Sequence, residues 1–339
     1  MTNDALLKAC RLEKPSRKPV WFMRQAGRYL QEYMEVRRKK GILEICKEPE
    51  LAADLSSIPV KKFDLDAAII FSDITVPILS MGVKLKIEEG RGPVLKQPIS
   101  SISDVRNIED FDTSSTDFVY ETARLISERL SGRVPVIGFS GAPFTLASYL
   151  IEGGSSRDFI RTRTVMFEKS AMWQLLMEKL ADMCTGYLEE QFRNGCQVVQ
   201  LFDSWAGTLS QEEYVSYVKP YNQRIASRLA RLGCYVINFA TGNPELLPEM
   251  ACRGVAVVSV DWRIDIGKAM DIVPSVGIQG NLDPALLAAD RKIMERYARL
   301  ILKKTKNRRG HIFNLGHGIP PNAKVENVKA LAKLVHNEG

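Results

Sequence analysis

The stretch VPVIGFSGAPFTLASY, residues 134–149, shows the pattern that decides the fold. Residues 134–139 form a short apolar run of the kind found in buried strands. The residues Ser140-Gly141-Ala142-Pro143 then interrupt the run, and apolar residues at helical spacing lead to Tyr149. A strand that passes through a polar, glycine-containing turn into a helix is one βα unit of a parallel sheet.

The same alternation of strand-like and helical segments continues along the rest of the chain. Further strand-like runs lie at residues 20–22, 67–71, 197–201, 235–239, 255–260, 276–278 and 311–314. Helical spacing is clearest at residues 118–130, 172–192, 212–232 and 290–304. With no Pro/Gly/Ser-rich linker, this predicts one α/β domain over residues 1–339, folded as a (β/α)8 TIM barrel. A doubly wound open sheet is the competing fold, which the lack of a Gly-rich phosphate-binding turn after an early strand disfavours.

One segment departs from the barrel pattern. In VKLKIE, residues 83–88, apolar and charged residues alternate. The turn-forming residues Glu89-Gly90-Arg91-Gly92 follow, and then Val94-Leu95. This order predicts a small β-hairpin inserted into the barrel.

Composition restricts the class of protein. The 339 residues include 47 Lys and Arg against 40 Asp and Glu, a net charge of +7, and 45% are hydrophobic. No apolar run approaches the ~20 residues of a membrane helix, and no secretory signal is visible, so we expect no membrane association. Six scattered cysteines without a C-x-x-C motif predict reduced, buried thiols and a cytoplasmic location. Three histidines are too few for a His-rich metal site, and the basic excess indicates either an anionic ligand or mere solubility.

Polar and glycine residues collect directly after the predicted strands, where barrel enzymes place their chemistry. In strand order they are Arg24, Gln25, Arg28 and Arg37; Ser72-Asp73; Ser140-Gly141 with Tyr149; Asp203-Ser204; Thr241-Gly242; Asp261; Gly280-Asn281; and Gly316-His317-Gly318. Because the carboxyl ends of parallel strands meet at one rim, these residues predict a single active-site mouth.

Arg24 and Arg28 stand four residues apart and would share one face if their segment were helical. Two guanidiniums aimed at one place suit carboxylates or phosphates, which we favour over solvated arginines. The sequence leaves two interpretations of Asp73 open: it is either a helix N-cap or a ligand-binding carboxylate.

The other site residues also have structural alternatives. Tyr149 is by default a half-buried packing residue, and Ser204 a cap for the helix that starts near Gln211. His317 is favoured as a site residue because its flanking glycines let the backbone approach a ligand. The basic runs at residues 36–40 and 303–309 lack interleaved aromatics, so we expect solvated helix ends and no nucleic-acid partner.

Taken together, several motifs resemble the uroporphyrinogen decarboxylase family over nearly the whole chain. They are PVWFMRQAGRY at 19–29, GFSGAPFTL at 138–146 with Tyr149 and EGG at 152–154, QLFDSWAG at 200–207, GNLDP at 280–284 and NLGHG at 314–318. The resemblance implies a cofactor-free, single-domain TIM barrel that forms a homodimer. It also implies a small-molecule substrate, uroporphyrinogen, whose four acetate side chains become methyl groups in haem biosynthesis, giving coproporphyrinogen and carbon dioxide.

The resemblance further implies roles for individual residues. The implied substrate-binding residues are Arg24, Gln25, Ala26, Gly27, Arg28, Arg37, Asp73, Tyr149, Ser204 and His317, with Asp73 accepting hydrogen bonds from the pyrrole N–H groups. Asp73 and Arg24 are the implied catalytic residues. Gln31 stands where the family has a proline, which puts the geometry of the turn before Glu32 in doubt.

The reaction explains why no metal or cofactor is expected. Protonation of a pyrrole ring carbon turns the pyrrole into a cationic electron sink, so a carboxylate such as Asp73 can stabilise charge that develops in the transition state. The family places Arg24 as proton donor, but a guanidinium with a pKa above ~12 is a reluctant acid. A substrate carboxylic acid, a water, or a purely electrostatic role for Arg24 remain alternatives.

Two other functions are alternatives to decarboxylation. A methyltransferase on the same barrel would need zinc held by His and Cys, yet no cysteine follows His311 at ligand spacing and none lies downstream of Cys252. A tetrapyrrole-binding protein without turnover would keep the same arginines, and only an assay with reduced substrate distinguishes it from the enzyme.

Overall fold

The computed structural model describes residues 3–88 and 92–339. In chain order, the strands of this part are β1 (Ala68–Ile69), β2 (Leu85–Glu88), β3 (Gly92–Leu95), β4 (Val136–Gly141), β5 (Cys196–Asp203), β6 (Tyr235–Ala240), β7 (Val255–Ser259), β8 (Gly277–Leu282) and β9 (His311–Leu315). Seven of them form one parallel sheet in the order β1-β4-β5-β6-β7-β8-β9. The order follows the chain, as expected for a succession of βα units.

Residues 19–22, which we call the Val20 segment, join the two edges of this sheet. The Phe313 N–H of β9 donates to Pro19 O at 2.8 Å, and on the other side the Asp66 N–H, just before β1, donates to Val20 O at 2.9 Å. The barrel prediction is therefore confirmed, but residues 20–22 form a single bridge, from Val20 to Phe313, rather than a full strand. Pro19 has no N–H and the Val20 N–H donates to the Asp66 carboxylate, so the ladder does not extend.

Sixteen α-helices accompany the strands within the described residues. They are α1 (Ala5–Cys10), α2 (Gln31–Arg37), α3 (Ile42–Cys46), α4 (Pro49–Phe63), α5 (Val76–Leu79), α6 (Ile102–Arg106), α7 (Asp117–Arg129), α8 (Pro143–Glu152), α9 (Ile160–Glu168), α10 (Ser170–Arg193), α11 (Gln211–Tyr217), α12 (Lys219–Arg231), α13 (Leu247–Met250), α14 (Ile266–Ile272), α15 (Arg291–Thr305) and α16 (Val325–Glu338). Short 3-10 turns lie at Thr113–Thr116, Ala206–Thr208, Pro244–Leu246 and Pro284–Leu287.

One predicted helix is divided into two in the structure. The periodicity over residues 212–232 predicts one helix, but α11 ends at Tyr217 and α12 begins at Lys219. Pro220 explains the break, since it lacks the N–H that a continuous helix requires and disfavours helical geometry at the residue before it. Val218 at the junction has φ −127° and ψ −52°.

The inserted hairpin is present. Strands β2 and β3 pair antiparallel, with Leu85 opposite Leu95. Its predicted turn residues Glu89, Gly90 and Arg91 lie outside the described residues. The Leu95 N–H donates to Gly153 O at 2.9 Å, which ties the hairpin to the end of α8.

Hydrogen bonds between polar side chains cross the inside of the barrel. Trp21 Nε1 donates to Gln279 Oε1 at 2.9 Å, and Gln279 Nε2 donates to Gln200 Oε1 at 3.0 Å and to Ser259 Oγ at 2.9 Å. All four side chains are fully buried. Because these groups satisfy one another, the interior is a packed layer rather than a channel.

A buried carboxylate links both ends of the chain to the barrel. Asp66 accepts hydrogen bonds from Asn3 Nδ2 at 2.5 Å, Arg17 Nε at 2.8 Å, the Val20 N–H at 2.7 Å and His336 Nε2 at 2.8 Å. Burial alone would raise the pKa of Asp66, but hydrogen bonds from His336, Asn3 and Val20 hold it below its usual value. We call this group the Asp66 latch.

All six cysteines are buried and unpaired, as the sequence predicts. Burial raises the pKa of each thiol, for example that of Cys252 to about 11. No helix among the described residues has the length and apolar character needed to cross a membrane.

Candidate active site

Residues 23–30 form a chain of turns at the carboxyl end of the Val20 segment, not a helix. The helical spacing of Arg24 and Arg28 therefore does not explain their arrangement. Arg24 has a positive φ of 60°, which a non-glycine residue rarely adopts. At Gly27 a Cβ would lie 2.7 Å from Arg24 O, so this tight turn requires glycine.

The loop presents N–H groups that have no protein acceptor. Within the described part of the chain, no hydrogen bond uses the backbone N–H of Ala26, Gly27 or Arg28. Consecutive free amides beside guanidiniums form a cradle for an anion. Gln25 differs from its neighbours, since its side chain is fully buried, donates from Nε2 to Ala67 O at 3.1 Å, and accepts the Phe22 N–H at 3.2 Å. Its amide thus holds the loop against β1.

The guanidiniums of Arg24 and Arg28 are exposed and unpaired with respect to every residue that the structure describes. The stem of Arg24 lies against Gly318, where a Cβ would be 2.5 Å from Arg24 Cδ. Arg37 is half-buried and donates to Lys40 O at 2.5 Å. Arg24 and Arg28 are therefore free to bind a carboxylate, whereas Arg37 already has a backbone partner.

Asp73 follows β1 and closes a local turn without capping a helix. Its Oδ1 accepts the Thr75 N–H at 2.9 Å and the Thr75 hydroxyl at 2.6 Å. The N-cap residue of α5 is Thr75, so the interpretation of Asp73 as a helix N-cap is wrong. Both bonds go to Oδ1, and Oδ2 accepts no hydrogen bond from the described residues, which leaves that oxygen for a ligand.

The charges of Asp73 and Arg24 both affect the pKa of Tyr149. Burial raises the pKa of Tyr149 to about 12, the Asp73 carboxylate adds to the rise, and the Arg24 guanidinium opposes it. Both charged groups therefore lie near enough to the Tyr149 hydroxyl to influence its ionisation. The ring of Tyr149 packs on that of Trp205, with centroids 4.0 Å apart.

His317 is neutral at physiological pH. Burial and then the positive charge of Arg24 lower its pKa to about 4. Its Nδ1 accepts the Gly318 N–H at 2.7 Å, so the neutral ring carries its proton on Nε2. His317 thus offers one N–H donor and no charge, and its ring packs edge-on against Phe239 at 6.0 Å.

Ser204 is half-buried and does not cap α11. The N-cap of α11 is Ser210, whose hydroxyl accepts the Glu213 N–H at 3.2 Å, so the capping interpretation of Ser204 is wrong. Its neighbour Asp203 is fully buried and accepts from Thr145 Oγ1 at 3.0 Å and Asn222 Nδ2 at 2.9 Å. Burial raises the pKa of Asp203 to about 6.

Sequence reasoning missed two side chains at this mouth. Trp205 packs between Tyr149 and Phe159, whose ring centroid is 4.6 Å from its own. Arg263 lies two residues beyond Asp261 and influences the pKa of His317. Both lie just beyond a strand, Trp205 directly after Asp203-Ser204 and Arg263 two residues after Asp261, so their position was the signal that could have found them.

The mouth combines unpaired cations, one carboxylate with a free oxygen, and neutral hydrogen-bond donors. Such a site can bind a polyanion and stabilise a positive charge that forms next to Asp73. No group of three or more His, Cys, Asp or Glu side chains within residues 3–88 and 92–339 could hold a metal ion.

The family model and the sequence relatives agree on one family. The family model described as "Uroporphyrinogen decarboxylase (URO-D)" matches residues 1–338. A uroporphyrinogen decarboxylase from Solibacter usitatus is 46% identical over 334 residues, 98% of this chain and 97% of that protein. Another, from Carboxydothermus hydrogenoformans, is 44% identical over 336 residues, 98% of this chain and 96% of that protein.

Among solved structures, a methyltransferase from Methanosarcina mazei is similar with a TM-score of 0.82. The two chains are 20% identical, and the match covers 99% of this chain and 98% of that one. A B12-independent methionine synthase from Shewanella is similar with a TM-score of 0.59 at 13% identity, over 88% of this chain and 90% of that one. At such identities the likeness shows a shared barrel fold and carries no information on the reaction.

Proposed function

The chain belongs to the uroporphyrinogen decarboxylase family and is a carboxy-lyase of porphyrin biosynthesis, and we propose that Asp73 stabilises the cationic pyrrole from which each acetate loses carbon dioxide. The observation that supports this proposal is that Asp73 follows β1 while Arg24 follows the neighbouring Val20 segment, where its stem lies against Gly318 beside His317. Asp73 has Oδ2 free, and Arg24 has no protein partner among the described residues.

The proposed step begins with protonation of the ring carbon next to the one that bears the acetate, so that the acetate-bearing carbon stays unsaturated and conjugated with the cationic nitrogen. The bond between the acetate methylene and its carboxylate then breaks, carbon dioxide leaves, and the electron pair forms an exocyclic double bond that neutralises the ring. A proton adds to the methylene carbon to give a methyl group, and the first proton leaves the ring carbon. One proton is consumed for each carbon dioxide released, and the substrate provides its own electron sink.

Asp73 is suited to this step because the positive charge exists only after protonation. A carboxylate near the pyrrole N–H groups binds the cationic ring more strongly than the neutral ring, so it lowers the barrier rather than only binding substrate. The Thr75 hydrogen bonds hold the carboxylate in place before the substrate arrives, which removes the cost of reorienting it.

The guanidiniums of Arg24 and Arg28 bind carboxylates that remain on the substrate. An arginine that held the departing carboxylate would lose its ion pair in the transition state and slow the reaction. Arg24 lies on the loop beside the end of β1, which supports a role in protonating the ring carbon, either as donor or through its charge, with a water or a substrate carboxylic acid as the alternative donors. The free amides of Ala26, Gly27 and Arg28 extend the same anion site.

Neutral groups complete the proposed site. Tyr149 and His317 donate hydrogen bonds to substrate carboxylates without adding charge, and Ser204 lies beside Trp205 on the same wall. Gln25 acts on the substrate through the loop that it holds, since both polar ends of its amide are occupied. Arg37 supports the loop end through Lys40.

The experiment is an anaerobic assay with reduced uroporphyrinogen and chromatography of the products. Wild type should release coproporphyrinogen, and Asp73→Asn should lose turnover by at least ~10³-fold while melting within a few degrees of wild type. Binding without coproporphyrinogen would establish a tetrapyrrole-binding protein instead. An Asp73→Asn variant that loses stability as much as activity would show that the Thr75 turn is its main role.

We also propose that residues 1–339 form a single barrel domain, and that the protein is a homodimer in the cytoplasm. Ile160 and Phe167 on α9 and Val215 on α11 are exposed apolar side chains, and Arg163 of α9 pairs with Glu213 of α11 at 3.0 Å. A second copy would cover this apolar surface. Six buried free thiols suit a reducing compartment.

A further inference from the structure

Arg263 is a cation at the mouth that the preceding roles do not use. It follows β7, and together with Arg24 and Asp261 it influences the pKa of His317. Its neighbour Trp262 packs against the glycine before His317, because a Cβ at Gly316 would lie 2.7 Å from Trp262 N. Arg263 therefore belongs to the same rim as the proposed site.

The side chain of Arg263 is held in place but not fully occupied. Its Nη1 pairs with Asp261 Oδ2, and its backbone N–H donates to Asp261 Oδ1 at 2.9 Å. The guanidinium carbon lies 4.5 Å from the centroid of the Trp262 ring. Nη2 has no acceptor among the described residues, and 48% of the side chain is exposed. A guanidinium fixed on one edge and free on the other is prepared to bind a carboxylate.

Arg263 also stands across the mouth from Asp73. In the ring formed by the Val20 segment and strands β1, β4, β5, β6, β7, β8 and β9, three strands separate β1 from β7 in one direction. In the other direction β8, β9 and the Val20 segment separate them. Asp73 follows β1, so a macrocycle with its reacting ring at Asp73 places its far side near β7.

We propose that Arg263 binds a propionate carboxylate on the far side of the macrocycle. The inference rests on the proposed function of the same site. The enzyme removes acetates one after another, but the propionates remain through every round. A carboxylate site far from the reacting ring is useful in all rounds only if it holds a group that the reaction does not remove. Arg24 and Arg28 bind on the near side, so Arg263 supplies the opposing contact that fixes the macrocycle in the mouth.

The test compares Arg263→Gln with wild type for substrate and for product. Coproporphyrinogen keeps its propionates and has no acetates, so its inhibition constant reports on propionate binding alone. We expect Arg263→Gln to raise both KM for uroporphyrinogen and the inhibition constant for coproporphyrinogen about 10-fold, with kcat within about 2-fold. Arg263→Lys, which keeps the charge but not the planar fork, should fall between the two, and it replaces the glutamine variant if that protein does not fold.

Arg253→Gln is the matched control. Arg253 is an exposed arginine just before β7, at the opposite end of the barrel, and its side chain has no ion pair among the described residues. It should leave both constants unchanged. A higher KM with an unchanged inhibition constant would assign Arg263 to an acetate and overturn the proposal, as would two unchanged constants. Wild-type turnover in the same assay tests the proposed function separately.

Discussion

Gly318→Ala should displace Arg24 while leaving the barrel intact. A Cβ at Gly318 would lie 2.5 Å from Arg24 Cδ and 2.7 Å from Arg24 Cγ. Carbon atoms in contact are about 3.5–4 Å apart, so the arginine stem must move by about 1 Å. The backbone tolerates alanine because Gly318 does not have a positive φ. The obstructing atoms belong to a flexible, exposed side chain, and we therefore expect a loss of stability of about 1 kcal/mol or less.

The catalytic loss should be much larger than the loss of stability. A misplacement of about 1 Å in a positioning group costs up to ~100-fold in rate, which corresponds to about 2.7 kcal/mol of transition-state stabilisation. The measurement is kcat/KM in the anaerobic assay, alongside the thermal melting temperature.

Gly186→Ala on α10 is the control for Gly318→Ala. There the nearest atom to a Cβ is Thr113 Cγ2 at 3.4 Å, an ordinary contact. Alanine should stabilise this helix by about 0.5–1 kcal/mol and leave activity unchanged. If Gly318→Ala keeps kcat/KM within about 2-fold of wild type, or loses activity only in proportion to its melting temperature, the role given to the Arg24 position is refuted.

Three further predictions concern separate features. Ser210→Ala should lower the free energy of unfolding by about 1 kcal/mol without changing KM, whereas Ser204→Ala should raise KM and leave the melt unchanged; the reverse result would restore the capping role to Ser204. The native pKa of His317, about 4, lies below its unfolded value of about 6.5, so the unfolded state binds more protons in this range and stability falls as pH drops from about 6.5 to about 4. His317→Asn should flatten that part of a denaturation series across pH and reduce kcat/KM less than Asp73→Asn, and an unchanged slope or complete inactivation would contradict the assignment. EDTA should leave activity unchanged, and a requirement for added zinc would overturn the proposed chemistry.

The sequence pattern locates most accurately the strands that are buried on both faces of the sheet. The run at residues 255–260 contains four valines among its six residues and lies close to the observed Val255–Ser259. The Val20 segment was harder to predict, because its short ladder depends on Asp66, a carboxylate 46 residues away that takes the Val20 N–H. The local sequence pattern around Val20 does not identify a hydrogen-bond partner that lies so far away in the chain.

The site residues were predictable as positions but not as contacts. Placement after a strand predicts Asp73 and His317 as candidates, and Tyr149 lies on the helix that follows β4. It did not reveal that Thr75 occupies one oxygen of Asp73, or that Gln25 is buried with both polar atoms used. These facts depend on which groups meet in three dimensions, which residue type and spacing do not determine.

The Asp66 latch has a consequence for how the chain reaches its native state. Asn3, Arg17 and Val20 precede Asp66 in the chain, whereas His336 follows it by 270 residues and lies on α16. Because synthesis proceeds from the N-terminal side, three of the four donors are available to the carboxylate long before the fourth. Until α16 has been made, Asp66 lacks the hydrogen bond from His336. We therefore expect the barrel to become fully stable only after translation of α16.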